Sequence, residues 1–303
     1  MSRRRDVAQL LLLGLGWGST QPLGKIAAST GHPALVLLFW QTVVVVAVLG
    51  AITLARGKRL FFTRRALVFY VVVACMGTVI PNLTFYTSVA RLPAGIMSIL
   101  VSMVPMFAFP MALALGYDRF SLKRLIGIGL GLTGVALIAL PRASLPEPGM
   151  IAFLPLAMVG PLFYAAEGVF VSRYGTAGMD PFQAMLGSSL VALVLLGGLM
   201  AGTGSWVSPS PPWGRAEGAL VLSSALHALL YSGYVGLAAR AGAVFATQTS
   251  YIVTLAGICW AMLLLGERFS PLVWVAAAVM LLGISLVRPR PAAVSPGGLT
   301  RRG

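Results

Sequence analysis

Long apolar runs alternate with short polar punctuation along this chain, and the runs are set by length rather than by a helical stripe. A helix that crosses a bilayer needs about 20 predominantly apolar residues, within a range of roughly 17–25. Runs bounded by charge, Pro or Gly reach that length at Val7–Ala28, Pro33–Ala55, Ala66–Ala90, Ala94–Tyr117, Leu122–Leu140, Met150–Ser172, Pro181–Gly202, Ala216–Ala239, Ala243–Gly266 and Pro271–Val287. The pattern predicts an all-α integral membrane protein with ten transmembrane helices. Several connections hold only a few residues, so consecutive helices are expected to form tight antiparallel hairpins.

Composition agrees. Charged residues make up 10% of the 303 residues and mean hydropathy is +0.91, whereas a soluble domain carries about a quarter charged residues. Lys and Arg number 22 against 7 Asp and Glu. In a soluble chain that excess would suggest nucleic acid; here the cations sit between apolar runs and at the termini, so no nucleic-acid partner is expected. With both termini in the cytoplasm, seventeen basic residues fall in cytoplasmic segments and four, Arg91, Arg142, Arg215 and Arg268, in outer loops. The positive-inside rule therefore places both ends in the cytoplasm of a bacterial-type inner membrane, with the bilayer as the surrounding partner. The N-terminal "MSRRRDVAQLLLLGLG" has the charge and apolar core of a signal peptide, but no A-x-A-like site closes it before Trp17, so an uncleaved first helix is expected.

The chain also repeats itself. A shift of 149 residues lays "DRFS" (Asp118–Ser121) on "ERFS" (Glu267–Ser270), "ARLPAG" on "ARAGAV" and Gly134 on Gly283. The expected organisation is a first five-helix unit over 1–143, a second over 144–290, and a flexible basic tail over 291–303. Five is odd, so the second unit enters the membrane inverted, an arrangement recurrent in secondary transporters that bind at the midplane between the halves.

Ionisable groups inside a span are costly and normally face an interior or cavity. Lys25, Glu167 and His227 meet that description, and Glu167 is the only carboxylate well inside a predicted helix. Helical spacing groups Trp17, Gln21 and Lys25 on helix 1, Asn82 and Tyr86 on helix 3, and Tyr164 and Glu167 on helix 6. His227, Tyr231 and Tyr234 form a stripe on helix 8, while Gln248 and Tyr251 neighbour each other on helix 9. The expected substrate-binding set is Trp17, Gln21, Lys25, Asn82, Tyr86, Tyr164, Glu167, His227, Tyr231, Gln248 and Tyr251, with Glu167 and His227 as proton-coupling candidates. Structural readings stand beside these: Lys25 snorkelling to the interface, Asn82 and Gln248 bonding between helices, His227 as a satisfied interhelical histidine or a partner for Glu167. Gly14 and Gly18, like Gly127 and Gly131, have the spacing that lets helices approach closely. Pro22, Pro81, Pro105 and Pro161 interrupt spans. Cys75 and Cys259 read as buried small hydrophobes, and no cluster suggests a metal, a cofactor or an enzyme's catalytic set.

"WGSTQPLGK" at Trp17–Lys25, "NLTFYTSVARLPAGIMSILVSMVPMF" and the closing "LGERFS" resemble the EamA-type ten-helix branch of the drug/metabolite transporter superfamily over essentially the whole chain. The resemblance implies a secondary carrier, often an exporter of amino acids or similar small amphipathic metabolites or drugs, working by alternating access through a cavity between the repeats. It departs at Gln41, where the family often has Arg after "FW". Protons are the expected coupling ion and a small molecule the expected substrate, carried by a monomer or a homodimer. The alternatives are a carrier of phosphorylated or nucleotide-linked solutes and a non-transporting scaffold or sensor.

Overall fold

A computed structural model describes residues 3–117, 119–139, 145–208, 212–241 and 248–287. Asp118 of the repeated motif, the expected boundary between the halves, the basic residues Arg142, Arg288, Arg290, Arg301 and Arg302, the first residues of the expected ninth span and the tail 291–303 lie outside them. The described residues are helical, with no strand among them. The order is α1 (Arg3–Ala28), α2 (Ala34–Ala55), α3 (Arg64–Val73), a π-helical stretch (Ala74–Val79), α4 (Ile80–Val89), α5 (Ala94–Val101), α6 (Val104–Ala114) and α7 (Leu122–Ala139). A 3-10 segment (Pro148–Phe153) then leads into α8 (Leu154–Tyr174), followed by α9 (Pro181–Thr203), α10 (Arg215–Ala241), α11 (Thr249–Leu265) and α12 (Pro271–Leu286). Six helical stretches are long and apolar enough to cross a bilayer, and α11 and α12 are shorter apolar helices.

The surface is inside out relative to a soluble protein. Leu12, Val68, Val194 and Leu263 stand exposed in the middle of helices, as lipid-facing positions should. Many buried hydroxyls find acceptors in their own helix: Thr42 donates to the Leu38 carbonyl at 2.8 Å and Ser188 to that of Ala184 at 2.9 Å, whereas those of Thr53 and Ser88 have no partner among the described residues. Such back-bonding satisfies a polar atom where no water is available.

Helix ends are finished by local caps that residues from elsewhere in the chain brace. At the face that carries the basic α2–α3 turn, Asp180 caps α9 by accepting from the Phe182 and Gln183 amides, and Gln183 returns the bond to the Asp180 amide. Arg56 reaches Asp180 at 3.2 Å and stacks 4.7 Å from the Phe182 ring centroid, while Gln183 donates to the Arg59 carbonyl at 2.6 Å. Toward the opposite face, Trp40 donates its indole N–H to the Val207 carbonyl at 3.0 Å, and Phe39, Trp40 and Trp206 cluster edge to face. Indole rings with a polar tip suit a membrane–water interface.

Small residues bring the helices together. Gly18 of α1 abuts Ala256 and Gly257 of α11, with the Gly257 amide 2.8 Å from where a Cβ would stand. Gly127 of α7 faces the Gly283 carbonyl of α12 at 2.6 Å by the same measure, and Gly134 faces Met280. Lipid tails are as apolar as leucine, so close van der Waals contact of this kind must hold such helices together. Replacing Gly127 by Leu is expected to destabilise the bundle by about 1–3 kcal/mol through overpacking. The readout is a lower midpoint of thermal unfolding in detergent. Gly129→Leu, at a position where a Cβ meets nothing within 4 Å, should leave the midpoint unchanged.

Candidate functional site

A cavity of about 680 Å³ lies between the helices, within the roughly 300–1,000 Å³ typical of small-molecule sites. Its wall draws on α1, α2, the α3–π–α4 stretch, α5 and α6 from one half of the chain, and on α8, α9, α10 and α11 from the other. Neither α7 nor α12 contributes.

Breaks in regular helix shape the wall. Pro81 has no N–H to donate, and just before it the ladder widens, so that the Ile80 amide bonds to the Cys75 carbonyl. This π-helical turn presents Gly77 and Thr78 to the cavity, the kind of site at which such turns recur. The Asn82 side chain is anchored by donating to the Thr78 carbonyl at 2.8 Å, and Gln41 approaches it from α2 at 3.5 Å. A second break separates α5 from α6, where the Ser102 and Met103 amides bond three residues back ahead of Pro105. Pro161 lies within α8, one turn from Tyr164 and two from Glu167.

Glu167 occupies the most telling position. A Cβ on Gly77 would fall 2.6 Å from its carboxyl carbon, so the π turn and the carboxylate are in direct contact. Among the described residues no ion pair or hydrogen bond joins Glu167 to another, and none of those on the wall is Lys or Arg. Around it the wall is aromatic and weakly polar. Trp17 packs on Tyr234 with ring centroids 5.5 Å apart, and Phe85 on Tyr86 at 5.3 Å. Gly24 has no side chain because the Phe85 ring fills that space.

Of the residues expected from sequence, Trp17, Gln21, Asn82, Tyr86, Tyr164, Glu167, His227 and Tyr231 line this cavity. Gln21 is buried there, with its side-chain oxygen unpartnered among the described residues. Lys25, Gln248 and Tyr251 are not on the wall. Lys25 points away because its ammonium donates to the Leu92 carbonyl at 2.6 Å and lies 3.6 Å from a Glu267 carboxylate oxygen. Gln248 is the residue before α11, and its neighbours Thr249 and Ser250 take the wall positions instead. Tyr251 packs against the apolar core. Gln41, Thr20, Ser102 and Ser223 also line the cavity. Ser223, one turn before His227, and Thr20, one turn after Trp17, lie on faces that were readable in the sequence; Gln41 and Ser102 carried no such spacing.

Comparison with known proteins adds an independent finding. The EamA-like transporter family model matches residues 6–140 and again 152–288. The "Uncharacterized inner membrane transporter YedA" of Escherichia coli strain K12 is 23% identical over 282 residues, covering 92% of this chain and 89% of the relative. YedA of the O157:H7 strain matches equally well. The crystal structure of a protein 16% identical to this chain superposes with a TM-score of 0.61, covering 94% of this chain and 98% of the other, so the two share a fold.

Because Gly77 and Glu167 touch, Gly77→Val is expected to push the carboxylate out of place and weaken any ligand that engages it by roughly tenfold, the equivalent of about 1.4 kcal/mol. Ligand-induced shifts in thermal unfolding would report that loss, and Gly198→Val, off the cavity wall at a position where a Cβ meets nothing within 4 Å, is the comparison variant.

Proposed function

The chain belongs to the EamA-like transporter family and is a multi-pass integral protein of the inner membrane, and from that premise we propose that it exports small amphipathic solutes bearing an ammonium group. Amino-acid-like metabolites and amine drugs are the intended class. The carrier has ten spans in two inverted halves, both termini in the cytoplasm, and alternates access to the cavity between them. Two separate matches to one family model support the duplicated organisation.

One observation carries the substrate class: among the described residues, Glu167 is the sole acid on the cavity wall, and no Lys or Arg joins it there. An ionised group within the membrane costs about 2.5–3.5 kcal/mol on insertion scales unless it is matched. Two partners can balance the carboxylate, a proton or the ammonium of a solute. Both cannot occupy it at once, so a proton arriving from outside displaces the solute, and a solute arriving from inside displaces the proton. That exclusion is sufficient to couple export to a proton gradient. Trp17, Tyr86 and Tyr231 take the apolar body, while Asn82, Gln21 and the Tyr164 hydroxyl offer hydrogen bonds. His227 faces the same space from α10 and is the second proton-coupling candidate.

The geometry changes the role of Lys25. It does not meet a substrate carboxylate at the cavity, since Leu92 and Glu267 hold it elsewhere. A phosphorylated or nucleotide-linked solute would require wall cations, which argues against that reading. A scaffold that binds no solute has no use for a cavity of this size.

In proteoliposomes, counterflow of a labelled amphipathic amine is expected for the native chain and should depend on the pH gradient. Glu167→Gln should reduce it at least tenfold, consistent with the loss of about 1.4 kcal/mol or more of charge pairing, and should abolish the pH dependence. Full transport with unchanged pH dependence in Glu167→Gln would sink the proposal.

A further inference from the structure

Lys25 and Glu267 lie 242 residues apart and meet at the face away from the basic α2–α3 turn. Their contact joins three separate pieces of chain. The Glu267 carboxylate accepts hydrogen bonds from the Ala94 and Gly95 amides at 2.8 and 3.1 Å, which caps the start of α5. A carboxylate is favoured there by the unpaired amides and by the helix dipole. The Lys25 ammonium balances its charge and donates to the Leu92 carbonyl in the turn just before α5. Phe269, two residues after Glu267, lies against Gly95 so tightly that no Cβ fits. Gly266, at φ +65°, reverses the chain at the end of α11 and aims Glu267 sideways at α5; a side chain there would be strained.

The position of this junction relative to the cavity matters. Gly24 on α1 and Met97 on α5 belong to the cavity wall. Lys25 and Ala94 follow immediately toward the face, and Leu92, Ala94 and Gly95 are fully buried. At its other end the wall runs to Ser172, which is exposed, and to Thr249 and Ser250 at the start of α11. The cavity is therefore stoppered on the Lys25 face and, among the described residues, reaches the surface on the other. The stopper joins α1 and α5 of one half to the end of α11 of the other.

We propose that Lys25, Glu267 and the first amides of α5 form a latch that closes the cavity on this face and must release for solute to pass there. This rests on the carrier reading above. The latch suits repeated opening because it is polar and short-range: water entering at the face can replace each of its hydrogen bonds. α11 acts as its lever, with cavity residues at one end and Glu267 just past the other.

The test uses the full chain in membranes of known orientation, with Cys75 and Cys259 replaced by serine and a single reporter thiol at Met97→Cys. A membrane-impermeant maleimide is added from the latch face. Slow labelling is expected with the latch intact, and labelling at least about tenfold faster when Glu267→Gln is added, the change that follows from losing one charge-assisted hydrogen bond. Lys25→Met gives a second, independent release of the latch and should have the same direction of effect, so the test survives if either variant fails to fold. A reporter at Ser172→Cys, labelled from the opposite face, confirms the fold and should not speed up. Unchanged Met97→Cys labelling in a folded latch variant overturns the latch, and counterflow by the same sample shows whether the carrier reading stands without it. Absence of amine counterflow in the cysteine-free protein with its latch intact removes the carrier reading instead, and the labelling result then decides the latch alone.

Discussion

Hydrocarbon offers no water to a backbone amide or carbonyl, and almost every local choice in this protein answers that constraint. Helices satisfy their own interiors. Many buried Ser and Thr give their protons to carbonyls one turn back. Where helices begin, side chains supply the missing acceptors: Asp180, the residue just before α9, steadied by Arg56, and Glu267, far along the chain from α5, steadied by Lys25. The ladder departs from regular helix in the π turn before Pro81 and at the break before Pro105, and both lie on the cavity wall. Irregular backbone is tolerated in a membrane where it lines a cavity, so the positions of the breaks are themselves evidence about where the working surface is.

The same economy governs charge. Asp180 and Glu267 lie near the two faces and each has a cation beside it. Glu167 alone among the wall residues is acidic and without such a neighbour. A group left unbalanced in this setting is expensive to keep, which is why it outweighs the many tyrosines around it as a pointer to chemistry. The aromatic residues define shape; the carboxylate defines sign.

Much of the architecture was legible beforehand because hydropathy and length leave few alternatives. Each expected apolar segment is helical over most of its length among the described residues, and the polar stripes on α1, α4, α8 and α10 put eight expected residues on one cavity wall. Lys25 stands off the cavity wall for a physical reason. Its i, i+4 relation to Gln21 is a statement about an ideal helix face, whereas its direction is set by a carbonyl 67 residues away and a carboxylate 242 residues away. Gln248 and Tyr251 failed differently: α11 begins one residue after Gln248, and the rotation set by its packing on Gly18 turns Thr249, Ser250 and Val253 inward. The π turn was invisible because its sequence, "ACMGTV", has nothing that distinguishes it from ordinary helix except the proline that follows.

The crossing of α7 on α12 has a consequence for how such a protein diversifies. These helices meet through Gly127, Gly134 and Gly283, and neither reaches the cavity. One of the contacts that rivet the chain together is thus separate from the cavity wall. Point mutations on the wall can alter which molecules fit without loosening the rivet, so selection for a new cargo need not begin by repairing a damaged fold. An ancestral copy of this bundle would have been free to drift in taste while remaining the same object in the membrane.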